Sequence, residues 1–384
     1  MKKSTKIKDK KILIITGEHS GELLALDIVK ELKQVGDFQF WGTGGDLLQK
    51  EGVRLIEHIK NMAVIGIIEA IKAYRFLKNL LSRILDIIRE QQIQYVILVD
   101  YPGFNLRLAK AIKKTLPEVF IFYFVSPQIW AWNYKRIKII KETIQKIYVL
   151  FSFEEEIYKR EGINVLWVGH PLKFRIPQAL RKQKPIKIID KPVIGFLPGS
   201  RLSEVRGLLI PMLKSALLLK ERYPQATFLL SSVESKGLIY DYIQEQLKDF
   251  KELKILVVPE ASLRIMKESD VLVIASGTAT LEAAYFHKPM VICYKIHWLN
   301  YLIFSFLVKT KYIGLPNLLA KEEVALELLQ NEASPENIYS EVVKILENES
   351  YRKKIVNLLK QIQFVPKNQQ PAKIFSEDIL QFLQ

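Results

Sequence analysis

Two turns in the second half of this 384-residue chain carry residue types suited to a phosphorylated ligand. In L-P-G-S-R-L-S-E-V, Leu197 to Val205, Gly199 permits a tight bend after a predicted strand and Ser200 or Ser203 can cap the helix that follows. Arg201 then stands at the helix start, where a guanidinium suits a diphosphate leaving group: it adds paired hydrogen bonds to the field of the helix. An ion pair to Glu204 or Glu221 is the competing role, and the turn context favours the ligand. A-S-G-T-A-T-L-E-A-A, Ala275 to Ala284, repeats the logic. Gly277 turns the chain, backbone N–H groups and the Ser276, Thr278 and Thr280 hydroxyls are offered to phosphate, and Glu282 follows one turn later as an acceptor for a ribose or sugar hydroxyl. Capping by Ser276 or Thr278 explains part of that pattern, but not its second occurrence.

The first half carries its own candidates. T-G-E-H-S-G, Thr16 to Gly21, joins a strand to a helix beginning near Ser20 and can hold an anion at the helix start, although it is not a dinucleotide fingerprint. Asp100 ends the apolar strand V-I-L-V-D and is either a general base or the cap of the turn before Pro102. S-P-Q-I-W-A-W, Ser126 to Trp132, sets two tryptophans in a loop, for sugar bracketing or for packing between domains. Asn61 to Leu81 is apolar at Met62, Val64, Ile65, Ile67, Ile68 and Ile71 and basic at Lys72, Arg75 and Lys78. That mixture suits a helix in a membrane interface or along an acyl groove, and an ordinary core helix shares it.

Other chemistries are absent from the sequence. There is no D-x-D pair, no cysteine or histidine cluster with metal spacing and no G-x-S-x-G elbow, so neither a bound metal nor a cofactor is expected. The single cysteine, Cys293, suits a reducing cytosol. No run is long enough to span a bilayer, and the basic start leads directly into a strand, unlike a signal peptide. The net charge of +16 favours nucleic acid, anionic lipid or a phosphorylated substrate. Nucleic acid is disfavoured by the lack of a compact basic stripe with interleaved aromatics.

The elements that must position these residues alternate between short β-branched runs and helical periods. Strands are predicted at Ile12–Thr16, Phe38–Gly42, Tyr95–Asp100, Val119–Val125, Lys146–Leu150 and Val165–Val168. They resume at Val193–Leu197, Thr227–Ser231, Lys254–Val258, Val271–Ala275 and Met290–Tyr294. Near-continuous apolar strands predict parallel sheets covered on both faces. The expected architecture is α/β, with two doubly wound Rossmann-like domains facing a cleft: residues 1–175, a linker at 176–192, and 193–345. Helices in 346–384 follow, with a return to the first domain left open.

Taken in order, the motifs resemble the lipid-A-disaccharide synthases, inverting glycosyltransferases of the GT-B fold. The resemblance rests on G-E-H-S-G-E at Gly17, W-G-T-G-G at Trp41, M-A-V-I-G-I-I-E at Met62, D-Y-P-G-F-N at Asp100 and V-S-P-Q-I-W-A-W. It continues through V-G-H-P-L at Val168, L-P-G-S-R-x-x-E-V, A-S-G-T-A-T-L-E and L-P-N-L-L-A at Leu315. It implies transfer from UDP-diacylglucosamine to a hydroxyl of diacylglucosamine phosphate, on the cytoplasmic face of an anionic membrane, with a homodimer possible. By the same resemblance Ser200, Arg201, Glu204, Ser276, Gly277, Thr278, Glu282 and Asn317 fall on the nucleotide side. Gly17, Glu18, Ser20, Gly21, Asp100 and Asn105 fall on the acceptor side. Many members read D-x-P-D-F-N, with the second Asp favoured as base; here that position is Gly103, so Asp100 is the first candidate base and Glu18 the second. Glu22 and Phe174 also stand where the family more often has Asp. Another UDP-sugar transferase or a sugar-nucleotide epimerase is the nearest alternative.

Overall fold

A computed structural model describes residues 7–62, 67–130, 133–188, 190–295 and 311–383. They form two compact units; one runs to His170 and resumes at Val365, and the other spans Pro171–Phe364. The first unit contains β1 (Ile7–Ile15), α1 (His19–Val35), β2 (Gly36–Gly44), α2 (Asp46–Lys50), β3 (Arg54–His58), α3 (Ile67–Glu90), β4 (Tyr95–Val99) and α4 (Pro102–Thr115). It continues with β5 (Phe120–Phe124), α5 (Arg136–Thr143), β6 (Lys146–Val149), α6 (Ser152–Arg160) and β7 (Val165–Trp167). The second contains α7 (Leu172–Lys182), β8 (Val193–Leu197), α8 (Leu202–Arg222), β9 (Thr227–Ser232), α9 (Leu238–Leu247), β10 (Ile255–Pro259), α10 (Ser262–Glu268), β11 (Val271–Ala275) and α11 (Thr278–Tyr285). It ends with β12 (Met290–Tyr294), α12 (Leu315–Ala320), β13 (Leu326–Leu329), α13 (Pro335–Glu347) and α14 (Glu349–Gln361); α15 (Pro371–Leu383) lies in the resumed part of the first unit.

Each unit is built on one parallel sheet. The first has the order β3-β2-β1-β4-β5-β6-β7 and the second β10-β9-β8-β11-β12-β13. Strand order therefore reverses between β1 and β4 in one sheet and between β8 and β11 in the other. At such a point the helices leave on opposite faces and open a crevice beyond the strand ends, where doubly wound sheets bind ligands.

Alternation along F-I-F-Y-F of β5 shows how both faces of the first sheet are covered. Ile121 and Tyr123 join the core formed with α3 and α4. Phe122 and Phe124 point to the other face, where Phe382 and Phe375 of α15 meet them edge-on at ring separations of 5.2 and 5.3 Å. Asp378 of the same helix bonds Lys146 Nζ and the Tyr148 hydroxyl, both at 2.8 Å.

One local expectation is corrected and two strands are added. The stretch 176–192 begins inside α7, whose last carbonyls are held by the Arg264 guanidinium through Leu180 and Gln183, so its Lys- and Pro-rich composition conceals a helix tied to the second unit. The strands β3 and β13 are additional; both are short edge strands, R-L-I-E-H and L-E-L-L, whose charges interrupt the apolar pattern.

Candidate functional site

In the second unit the two phosphate-compatible turns follow β8 and β11, the strands flanking the reversal, and they line one cavity of about 430 Å³. The turns are built differently. At the β8 turn Gly199 adopts φ +120°, and a β-carbon there would lie 2.6 Å from a Glu204 carboxylate oxygen. That oxygen accepts the N–H groups of Ser200 and Arg201 at 2.9 and 3.2 Å, and the other pairs with the Arg201 guanidinium at 2.9 Å. Glu204 thus caps α8 from within while also lining the cavity. The Arg201–Glu204 pair set aside in the sequence reading is formed. With its side chain 79% exposed, Arg201 keeps that pair at little energetic gain and is able to exchange it for a stronger anion.

The β11 turn leaves its helix start open. Gly277, at φ +152°, precedes α11 and no side chain caps it. Nothing lies within 4 Å of a β-carbon built there, so glycine is required by backbone conformation rather than by space. Ser276 and Thr278 line the cavity, whereas Thr280 is fully buried and its hydroxyl donates to Gly277 O at 2.8 Å, unavailable to phosphate. Glu282 is half-buried on the cavity wall, and burial pushes its carboxyl up to about 7. Among the described residues no hydrogen-bond or ion-pair partner offsets that burial.

Asn317, expected to contact ligand, is fully buried and bonded entirely to the chain. Its Nδ2 donates to Ala325 O and Glu327 Oε1, both at 2.7 Å, and its Oδ1 accepts from Val324 and Ala325 N–H at 2.8 and 2.9 Å. It is a scaffold residue that joins α12 to β13.

In the first unit, the reversal point brings together the ends of β1 and β4. Gly17 is buried beneath Tyr101, and a β-carbon on it would collide with the ring. Gly21 similarly packs on the Thr16 hydroxyl, so both glycines serve close packing. Glu18, His19 and Ser20 are exposed at the start of α1, which has no side-chain cap. Glu22 is buried and accepts the N–H groups of Gly45, Leu47 and Leu48 at 2.8–3.1 Å, the longer side chain thereby capping α2.

Asp100 and Tyr101 both take left-handed conformations, at φ +49° and +48°. The turn is held by its own backbone: Asp100 O accepts Asn105 Nδ2 and the Tyr123 hydroxyl, each at 2.7 Å. Asn105, expected to touch substrate, is fully buried and positions Asp100 instead. Burial raises the Asp100 carboxyl above its ordinary range, the Tyr101 N–H opposes this, and the neighbouring Glu18 raises it further. Of the two candidate carboxylates Asp100 is the more buried and Glu18 is exposed. Sequence reasoning passed over Tyr101 and Tyr123; aromatics beside the strand-end Asp were the available signal. Trp130 is packed, donating to Glu154 at 3.1 Å and meeting Phe153 edge-on. Trp132 lies outside the described residues.

Of the apolar candidates, Met62 is core, 1% exposed, with its carbonyl accepting the Tyr101 hydroxyl. Val64 and Ile65 lie outside the described residues; Ile67, Ile68 and Ile71 fall within α3, but their side chains are likewise outside the description. Among the described residues no helix is long and apolar enough to cross a membrane, and no group of three or more His, Cys, Asp or Glu side chains is placed to hold a metal ion.

The family model for lipid-A-disaccharide synthetase matches residues 12–377, nearly the whole chain. The chain belongs to that family. The lipid-A-disaccharide synthase of Coxiella burnetii (strain CbuK_Q154) is 34% identical over 356 residues, covering 91% of this chain and 93% of that protein. The synthase of Acinetobacter baylyi is 35% identical over 352 residues, covering 88% and 89%. Among solved structures, S. aureus MnaA in complex with UDP aligns with a TM-score of 0.63 at 12% identity over 97% of both chains. The UDP-GlcNAc 2-epimerase of Neisseria meningitidis bound to UDP-GlcNAc gives 0.60 at 12% identity, covering 97% of this chain and 100% of that one. At such identities the likeness shows the fold alone. Within the lipid-A-disaccharide synthetase family, Gly103 here occupies the N-terminal turn of α4, exposed, with open space around it.

Proposed function

We propose that this chain is a lipid-A-disaccharide synthase, transferring the diacylglucosamine of UDP-diacylglucosamine to a hydroxyl of diacylglucosamine 1-phosphate with inversion. The observation that carries the donor half is the cavity where the uncapped start of α11, Arg201 and Glu282 converge. The diphosphate fits the α11 N–H groups and the Arg201 guanidinium, and Glu282 accepts from the ribose hydroxyls. In the acceptor half Asp100 takes the hydroxyl proton as the oxygen attacks the anomeric carbon. The bond from that carbon to the diphosphate oxygen breaks, and UDP leaves with the electron pair. Arg201 and the helix field stabilise the charge that grows on UDP. The basic surface and the apolar start of α3 suit a protein held at the inner face of an anionic membrane, where both lipid substrates reside.

The test is UDP release by purified protein given both lipids. Release that requires both, with a disaccharide phosphate as product, is expected. Release without the acceptor, or none with both, refutes the reading.

A further inference from the structure

Immediately after Asp100, α3 and α4 enclose a groove of about 230 Å³. Its apolar lining is Leu77 and Leu81, one turn apart on α3, and Phe104, which is 3% exposed and packed on Tyr101 at a ring separation of 6.2 Å. Its polar lining is Lys78 and Arg107, both exposed. Among the described residues neither side chain has an ion-pair or hydrogen-bond partner. Gly103 completes the groove, and the space around its α-carbon is open. Two unpaired cations beside an apolar channel complement an amphiphile that is anionic at one end.

We propose that this groove seats the acceptor, with an acyl chain along Leu77, Leu81 and Phe104 and the phosphate monoester bound by Lys78 and Arg107. This rests on the transferase reading and adds the residues that select a phosphorylated acceptor. A bilayer headgroup offers the same chemistry. Gly103 in the groove lining follows the proposed base by only three residues, however, and an occupant that must reach from the groove to Asp100 fits the acceptor better than a headgroup. The donor's diphosphate has its own seat at α11.

The test pairs Lys78→Ala with Arg107→Ala in the full chain and compares phosphorylated and dephosphorylated acceptors. The double variant should raise KM for the phosphorylated acceptor about 10- to 100-fold, with kcat and the donor KM unchanged. Its preference over the dephosphorylated acceptor should disappear, and exchanging the two cations, Lys78→Arg with Arg107→Lys, should restore most of it. Calorimetry with dodecyl phosphate and dodecyl maltoside supplies a readout independent of turnover: the wild type should prefer the phosphate and the double variant should not. If the wild type transfers nothing, the transferase reading falls while this binding preference still decides the groove. Retained phosphate preference in the double variant overturns the proposal. So does loss of binding to phosphatidylglycerol vesicles with acceptor preference intact, which would make the groove a membrane contact.

Discussion

Glu282→Gln should make the protein more stable and a poorer binder of UDP, two effects of opposite sign from one atom exchange. Burial holds the carboxyl near 7 against an ordinary 4.5, with no partner among the described residues. The folded protein therefore binds more protons than the unfolded chain between those values, so Glu282 makes stability fall as pH rises through that window. The displacement corresponds to about 3 kcal/mol, which partial contact with solvent reduces to roughly 1–2 kcal/mol. Gln carries no charge to desolvate. The variant should match the wild type near pH 4.5 and exceed it by that amount at pH 8, read as thermal or denaturant midpoints. If Glu282 accepts ribose hydroxyls, the same change removes a charged acceptor and should weaken UDP binding about 10- to 100-fold at pH 8. Calorimetry alongside unfolding completes the assay. A variant that loses stability and affinity together, or that keeps full UDP affinity, refutes the reasoning.

Arg201→Ala should lower turnover about 10²- to 10³-fold in a UDP-release assay while leaving the unfolding midpoint nearly unchanged, since its Glu204 partner is retained on the backbone N–H groups. Asp100→Asn should abolish transfer yet leave UDP affinity by calorimetry intact, because the donor cavity belongs to the other unit. Asn317→Ala should cost about 2–4 kcal/mol in denaturant unfolding, because it leaves buried backbone groups of Val324 and Ala325 and the Glu327 carboxylate without their amide. Gly103→Asp should raise the thermal midpoint slightly, worth about 0.3–1 kcal/mol, because the space is open and an acid suits the first turn of α4.

The doubly wound fold was legible because fully buried parallel strands announce themselves: β8, β11 and β12 occur with the bounds read from their apolar runs. The same logic fails at sheet edges, where β3 and β13 carry charge, and at α7, whose polar composition conceals a helix capped from elsewhere in its unit. At the candidate sites, residue type indicated the chemistry but not its direction. Asn105, Asn317, Glu22 and Glu204 are polar side chains in motif positions, and each turns inward to satisfy backbone groups. A linear pattern records that a carboxylate or amide is needed, not whether a ligand or a helix end uses it. Lys78 stood out only as part of the basic face of Asn61–Leu81 and Arg107 not at all, for a related reason: lysines and arginines on helix faces are common, and only packing of α3 on α4 brings these two to one groove. The spacing of Phe375 and Phe382 marks a buried stripe, while the face it covers is written in β5, some 250 residues earlier.

That separation has a consequence for synthesis. As the chain leaves the ribosome, β5 and β6 are complete long before α15 exists, so the aromatic face of Phe122, Phe124 and Tyr148 has no cover while Pro171–Phe364 is being made. At about 5–20 residues per second, that interval lasts on the order of 10–40 s. The second unit has all of its strands before α15 emerges, so it can close first, although it comes later in the chain. Premature termination just before Pro371 would then release a protein with a finished second unit and an unfinished first one, its aromatic sheet face open to aggregation or to a chaperone.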